Sequence, residues 1–159
     1  MIMEDFKKYA QQEDGWCGPA SLSYALAKQG RDVSQRTLAR VSQVDEEGMD
    51  TRPMEKMAKD YGMKTLVTEG KDAKETLDLL DFYLRNGWSV ILDYCAGDDI
   101  DEDGHYVVLE KVGKDKLEVF DSSSGGNLKQ LDKDYFISHW QDTHDDGKRF
   151  KHFALIFHA

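Results

Sequence analysis

The spacing of apolar residues changes near residue 88, and that change bounds the fold. Upstream, apolar positions recur three and four apart, the helical period. Gly18 to Lys28 carries Leu22, Ala25 and Leu26 on one side, and Gly30 ends the segment. Ser34 is predicted to cap a second helix with Leu38 and Val41 facing inward. Thr51 is predicted to cap a third, with Pro53 near its start and Met54, Met57, Ala58 and Tyr61 on one face. Those methionines read as core packing rather than as a cofactor site. Lys64 to Thr68 reads as a short strand, and Ala73 to Asn86 as a fourth helix closed by Gly87, with Leu77, Leu80 and Leu84 inward. Downstream the runs become β-rich: Trp88 to Tyr94, His105 to Val112, the alternating Lys116 to Asp121, and Phe153 to Phe157. Asp121-Ser-Ser-Ser-Gly-Gly is a turn, and Asp134 to Trp140 a short helix. Helices first and strands second predict an α+β fold, an N-terminal helical part packed on a C-terminal antiparallel β-sheet.

At 159 residues, the chain is expected to form one domain over 1–159, with 1–10 as a lead-in. A net charge of −10 argues against nucleic acid and against an anionic membrane surface, and favours a basic or neutral peptide partner. No apolar run approaches the roughly 20 residues that span a bilayer. Met1 to Lys8 lacks the apolar centre of a signal peptide. Two cysteines, Cys17 and Cys95, do not make a disulfide framework. The expectation is a cytoplasmic monomer.

Trp16-Cys17-Gly18-Pro19-Ala20-Ser21 puts a thiol where a helix begins. Unpaired N–H groups and partial positive charge at that end favour the thiolate, the reactive form. Pro19 suits a first turn, and Gly18 admits another chain close to the backbone. A cysteine nucleophile needs a base. Among five histidines, His105 stands apart because it opens a buried strand directly after Gly104. Asp121 ends the next strand. If the two strands pair as a hairpin, Asp121 lies close enough to orient the imidazole. The Cys17 N–H and the Gln11 side-chain amide are the candidate oxyanion donors, with Gln12 as the alternative. Cys95, inside an apolar run, reads as an inert buried thiol.

Gln11-Gln-Glu-Asp-Gly-Trp-Cys17-Gly-Pro-Ala-Ser, then Gly104-His105-Tyr-Val-Val-Leu, then Val119-Phe-Asp121, resembles the bacteriocin-processing peptidases. These are papain-like cysteine peptidases that cut double-glycine leader peptides. Asn86-Gly87-Trp88-Ser-Val-Ile-Leu and Tyr135-Phe136-Ile-Ser-His-Trp140 extend the resemblance to nearly the whole chain. It implies a papain-like fold, Cys17 as nucleophile, His105 as general base and acid, Asp121 as orienter and Gln11 as oxyanion donor. Ser122 departs from the proline common in the family. The resemblance implies hydrolysis of a peptide bond, after glycine in a leader-type peptide, with no cofactor required. The alternatives are an acyltransferase or peptide-joining enzyme on the same scaffold, or a calcium- or peptide-binding domain without turnover.

Asp99, Asp101 and Asp103, with Gly104 and Glu110, match the spacing of an EF-hand loop. Their flanks read as strands rather than helices. The loop therefore reads as a solvated acidic hairpin tip, with a looser Ca²⁺ site from the three aspartates as the alternative. It is also expected to draw cationic side chains toward the cleft beside His105.

Overall fold

The computed structural model describes residues 5–42, 48–98 and 104–159. A 3-10 turn, Phe6–Tyr9, precedes α1 (Cys17–Lys28), α2 (Gln35–Ser42) and α3 (Thr51–Asp60). Then come β1 (Lys64–Thr68), α4 (Ala73–Arg85), β2 (Ser89–Cys95), β3 (Gly104–Val112) and β4 (Lys116–Asp121). The chain continues through β5 (Asn127–Asp132), α5 (Lys133–His139), β6 (Gln141–Thr143), β7 (Arg149–Lys151) and β8 (Ala154–His158).

Six strands form one antiparallel sheet in the order β1-β8-β2-β3-β4-β5, and β6 and β7 form a separate hairpin. Helices cover both faces of the larger sheet. Leu22, Tyr24, Leu26, Leu38, Met54 and Phe120 belong to the core on one face. Leu77, Leu80, Leu92, Val107, Phe136 and Trp140 belong to the core on the other. This double cover explains why β2 reads as an unbroken apolar run: every residue from Ser89 to Cys95 is buried.

Helix α1 is the central helix. Its residues Gly18 to Ala27 are all buried, not only the side carrying Leu22, Ala25 and Leu26. Complete burial of Leu22 and Leu26 contributes about 1.5–3 kcal/mol each. Ser21 Oγ donates to Tyr106 O, and Ser89 Oγ donates to Ala25 O, which ties the helix to β3 and β2. Tyr24 stacks on Phe120 at 4.0 Å between centroids, and Phe6 and Tyr9 close over this pair. Residues 6–9 of the expected lead-in thus pack on the core.

Two local readings need correction. Val41 is 59% exposed rather than inward. The buried face of α2 is set by Gln35, Leu38 and Ala39, and Val41 lies about 110° around the helix from the centre of that face. Helix α3 is capped by Asp50, whose carboxylate accepts from Arg52 N–H, and Thr51 is already helical. At Gly18, side-chain atoms of Met49 and Met54 lie where a Cβ would project.

Candidate active site

The N–H of Cys17 lies before the first helical bond of α1, which runs from Ala20 N–H to Trp16 O. It is therefore not used by the helix ladder. The thiol is half-buried and faces a cleft of about 890 Å³. Gln11, His105 and Asp121 line the same cleft. All four residues singled out in the sequence thus converge, although up to 110 positions separate them.

His105 is the second residue of β3. Its Nε2 lies 2.8 Å from Asp121 Oδ1, and the two side chains are only 15% and 6% exposed. The pairing register explains the reach. Val108 faces Phe120 and Leu109 faces Val119, so Asp121 comes opposite Val107 and meets His105 diagonally. His105 is also hydrogen-bonded to Cys17. With Nε2 committed to Asp121, that bond falls to Nδ1. Burial disfavours the charged ring, but the hydrogen bonds and charges of Asp121 and Cys17 override it and raise the His105 pKa to about 10.

Asp121 is held by more than the imidazole. Its Oδ1 also accepts from Ser123 N–H at 2.9 Å and Ser123 Oγ at 2.6 Å, and Lys129 Nζ lies 3.7 Å from Oδ2. Burial would raise this carboxyl. The bonds from His105 and Ser123 hold it well below the ordinary carboxylate range. Asp121 thus stays charged and in hydrogen-bond contact with the imidazole.

Gln11 is fixed to the far strand end. Its N–H donates to Ser122 O at 2.8 Å, and its Oε1 accepts from Ser122 Oγ at 3.2 Å. With Oε1 turned toward Ser122, the amide nitrogen is the end left to donate. Nε2 is 3.4 Å from Glu13 O, a long bond that leaves a second N–H for the cleft. The Ser122 that departs from the expected proline thus supplies a hydroxyl that orients Gln11. Gln12 is exposed, and its N–H is held by Gln35 Oε1 while Gln35 Nε2 donates to Ala10 O.

The sequence reading missed the acidic side of the cleft. Asp93 of β2 is 1% exposed, and it is hydrogen-bonded to Asp142 of β6. Its Oδ1 has no hydrogen-bond partner. Burial and then the neighbouring Asp142 push the Asp93 carboxyl well up. Burial likewise raises Asp142. The Asp142 carboxylate packs flat against Gly104, where a Cβ would come within 2.6 Å of its Cγ. An aspartate inside the run SVILDYC was the available signal, because a charged residue amid buried neighbours is the informative exception. Farther along, His144 Nδ1 is 3.0 Å from Asp50 Oδ1 and Nε2 is 3.4 Å from Glu69 Oε1. This pair ties the β6–β7 hairpin to the start of α3.

Asp99, Asp101 and Asp103, the weak metal candidates, lie outside the described residues. Glu110, the last carboxylate of that pattern, is engaged elsewhere by Lys28 Nζ at 2.8 Å. Among the described residues, no group of three or more His, Cys, Asp or Glu side chains is placed to hold a metal ion.

Helices flanking an antiparallel sheet, with a cysteine at a helix start facing a strand-borne histidine, define a papain-like cysteine peptidase. The chain belongs to the peptidase C39 family, whose model matches residues 5–144. The fold resembles the peptidase domain of Streptococcus ComA, a bifunctional ABC transporter involved in quorum sensing. That match has a TM-score of 0.72 at 19% identity and covers 94% of this chain and 95% of that one. A C39-like peptidase from Bacillus anthracis matches with a TM-score of 0.71 at 17% identity, covering 94% and 92%. A double-glycine motif protease from an AMS/PCAT transporter, solved with its leader peptide, matches at 0.63 and 19% identity, covering 93% and 87%. No curated protein sequence gives a significant match. Among the described residues, no helix is long and apolar enough to cross a membrane.

Proposed function

We propose that this peptidase works through a Cys17–His105–Asp121 triad with Gln11 and the Cys17 N–H as the oxyanion donors. The observation that carries the reading is the bonded series itself: Cys17 to His105, and His105 Nε2 to Asp121 Oδ1 at 2.8 Å, opening on one cleft. The Cys17 proton rests on His105 Nδ1, on a ring whose pKa is raised to about 10, and Cys17 Sγ attacks the peptide carbonyl as the thiolate. His105 returns that proton to the departing amine. Water then attacks the thioester, with His105 as base, and the acid leaves. Two N–H groups meet the negative oxygen of each tetrahedral intermediate, a contribution worth ~10²–10³ in rate for a single donor. These steps use only the protein's own groups and water, so the reading includes no cofactor.

The substrate we infer is a peptide cut after glycine, of the leader type. Support comes from the fold likeness to a double-glycine motif protease that was solved with a leader peptide. The same reading has the protein act as a monomer in the cytoplasm.

The test is cleavage of internally quenched peptides with a central Gly-Gly, with products read by mass spectrometry. Cys17→Ala and His105→Ala should each abolish turnover while circular dichroism stays native. In heavy-oxygen water, hydrolysis marks the new carboxylate with the isotope. Cleavage that survives Cys17→Ala refutes the triad. An unmarked product joined to an added amine would replace hydrolysis by acyl transfer.

A further inference from the structure

We propose that Asp93 and Asp142 form a subsite for a cationic side chain, lysine or arginine, of the peptide that occupies the cleft. The inference builds on the peptidase reading and adds a specificity that neither the fold nor the triad requires.

Three observations support it. Asp93 and Asp142 both line the cleft that Cys17 faces. Asp93 is almost fully buried, yet its Oδ1 lacks a hydrogen-bond partner. A buried carboxyl oxygen without a donor is destabilising, and such a cost persists where a ligand supplies the missing partner. Finally, the charges of the cleft are unbalanced on this side. Lys129 sits beside Asp121, and His144 is matched by Asp50. No lysine or arginine among the described residues forms a salt bridge with Asp93 or Asp142.

The geometry also gives the direction of approach. Asp142 is half-buried and lies over Gly104, beside His105, so its carboxylate is the part a ligand meets. Asp93 is the floor behind it, paired to Tyr106 across β2 and β3. In the free protein one proton shared between the two carboxyls relieves their repulsion. An arriving ammonium or guanidinium takes over that task and the proton leaves to solvent. A neutral side chain gains nothing here, and an anionic one meets a second like charge. A lysine stem is long enough to lay its methylenes along the cleft while the charged head reaches the pair.

The experiment has two parts. In the first, Lys, norleucine or Glu is scanned through the three positions on either side of Gly-Gly in quenched peptides. At one position Lys should exceed norleucine about tenfold in kcat/KM, with Glu the poorest, and Asp142→Asn should bring the Lys-to-norleucine ratio close to one. Asp93→Asn, which keeps shape and hydrogen bonding, should do the same. Absence of a Lys-favouring position, or a preference that survives both substitutions, overturns the subsite and leaves the triad standing. If no peptide is cut, the peptidase reading is the one in trouble, and the second part decides. Alkylation of Cys17 is timed with cationic 2-bromoethylamine and neutral iodoacetamide. Asp142→Asn should lower the ratio of the two rates severalfold by removing negative charge near the sulfur. A ratio unchanged within about twofold would overturn the subsite.

Discussion

Replacing Asp121 by asparagine tests the electrostatics of the site most directly. In the native protein Asp121 and Cys17 raise the His105 pKa to about 10 against the opposing effect of burial. A charge-assisted hydrogen bond is worth about 1.5–3 kcal/mol, and one pH unit corresponds to about 1.36 kcal/mol. Removing the Asp121 charge should therefore move the His105 titration one to two units to lower pH. The sign for stability follows from the same shift. A histidine raised on folding stabilises the native state fully below its unfolded pKa of about 6.5. That contribution is lost as pH rises through about 10. Native protein should thus lose a few kcal/mol of unfolding free energy between neutral pH and pH ~10.5, and Asp121→Asn should lose less, at lower pH. The assay is NMR titration of the His105 ring carbon, joined to urea unfolding across the same pH range. A native His105 that titrates near the ordinary histidine value, or a titration unmoved by Asp121→Asn, refutes the reasoning.

Gln11→Ala should lower kcat by ~10²-fold with a smaller change in KM, because the role proposed for its amide lies in the transition state. Ser122→Ala should give a milder loss in the same parameter, since it only frees the Gln11 amide to turn. Comparison of kcat and KM across the two variants checks both. Gly104→Ala sets a Cβ against the Asp142 carboxylate, and should destabilise by about 1–3 kcal/mol in thermal unfolding. Burial works against the Asp50 charge, but bonds from Asp145 N–H, His144 and Arg52 N–H hold its carboxyl below the ordinary range. Asp50→Asn should therefore destabilise near neutral pH, and its deficit should vanish as pH falls through the lowered carboxyl titration. Unfolding curves at several acidic pH values measure it.

Much of the site was readable because its residues occupy positions that secondary structure makes conspicuous. Cys17 begins a helix, His105 begins a strand after a glycine, and Asp121 ends the strand that pairs with it. Strand ends and helix starts are legible from pattern. The parts that escaped are short or polar. In β5, NLKQLD, only Leu131 is buried, so no alternation shows at this sheet edge. Strands β6 and β7 have three residues each, too few for any period. Their hairpin brings Asp142 and His144 to the cleft, and neither could be placed from the sequence. Val41 misled because it is three residues from Leu38, a helical neighbour, while the buried face turns the other way toward Gln35 and Ala39. The second helical layer under the sheet was also unforeseen, though the unbroken apolar run of β2 was its sign.

The order of the proposed triad along the chain has a consequence for synthesis. The sulfur leaves the ribosome early, some ninety residues before its base and over a hundred before the aspartate. Gln11 is likewise without its anchor until Ser122 arrives. On the proposed triad, a growing polypeptide carries an unassisted thiol until the fourth strand closes against the third.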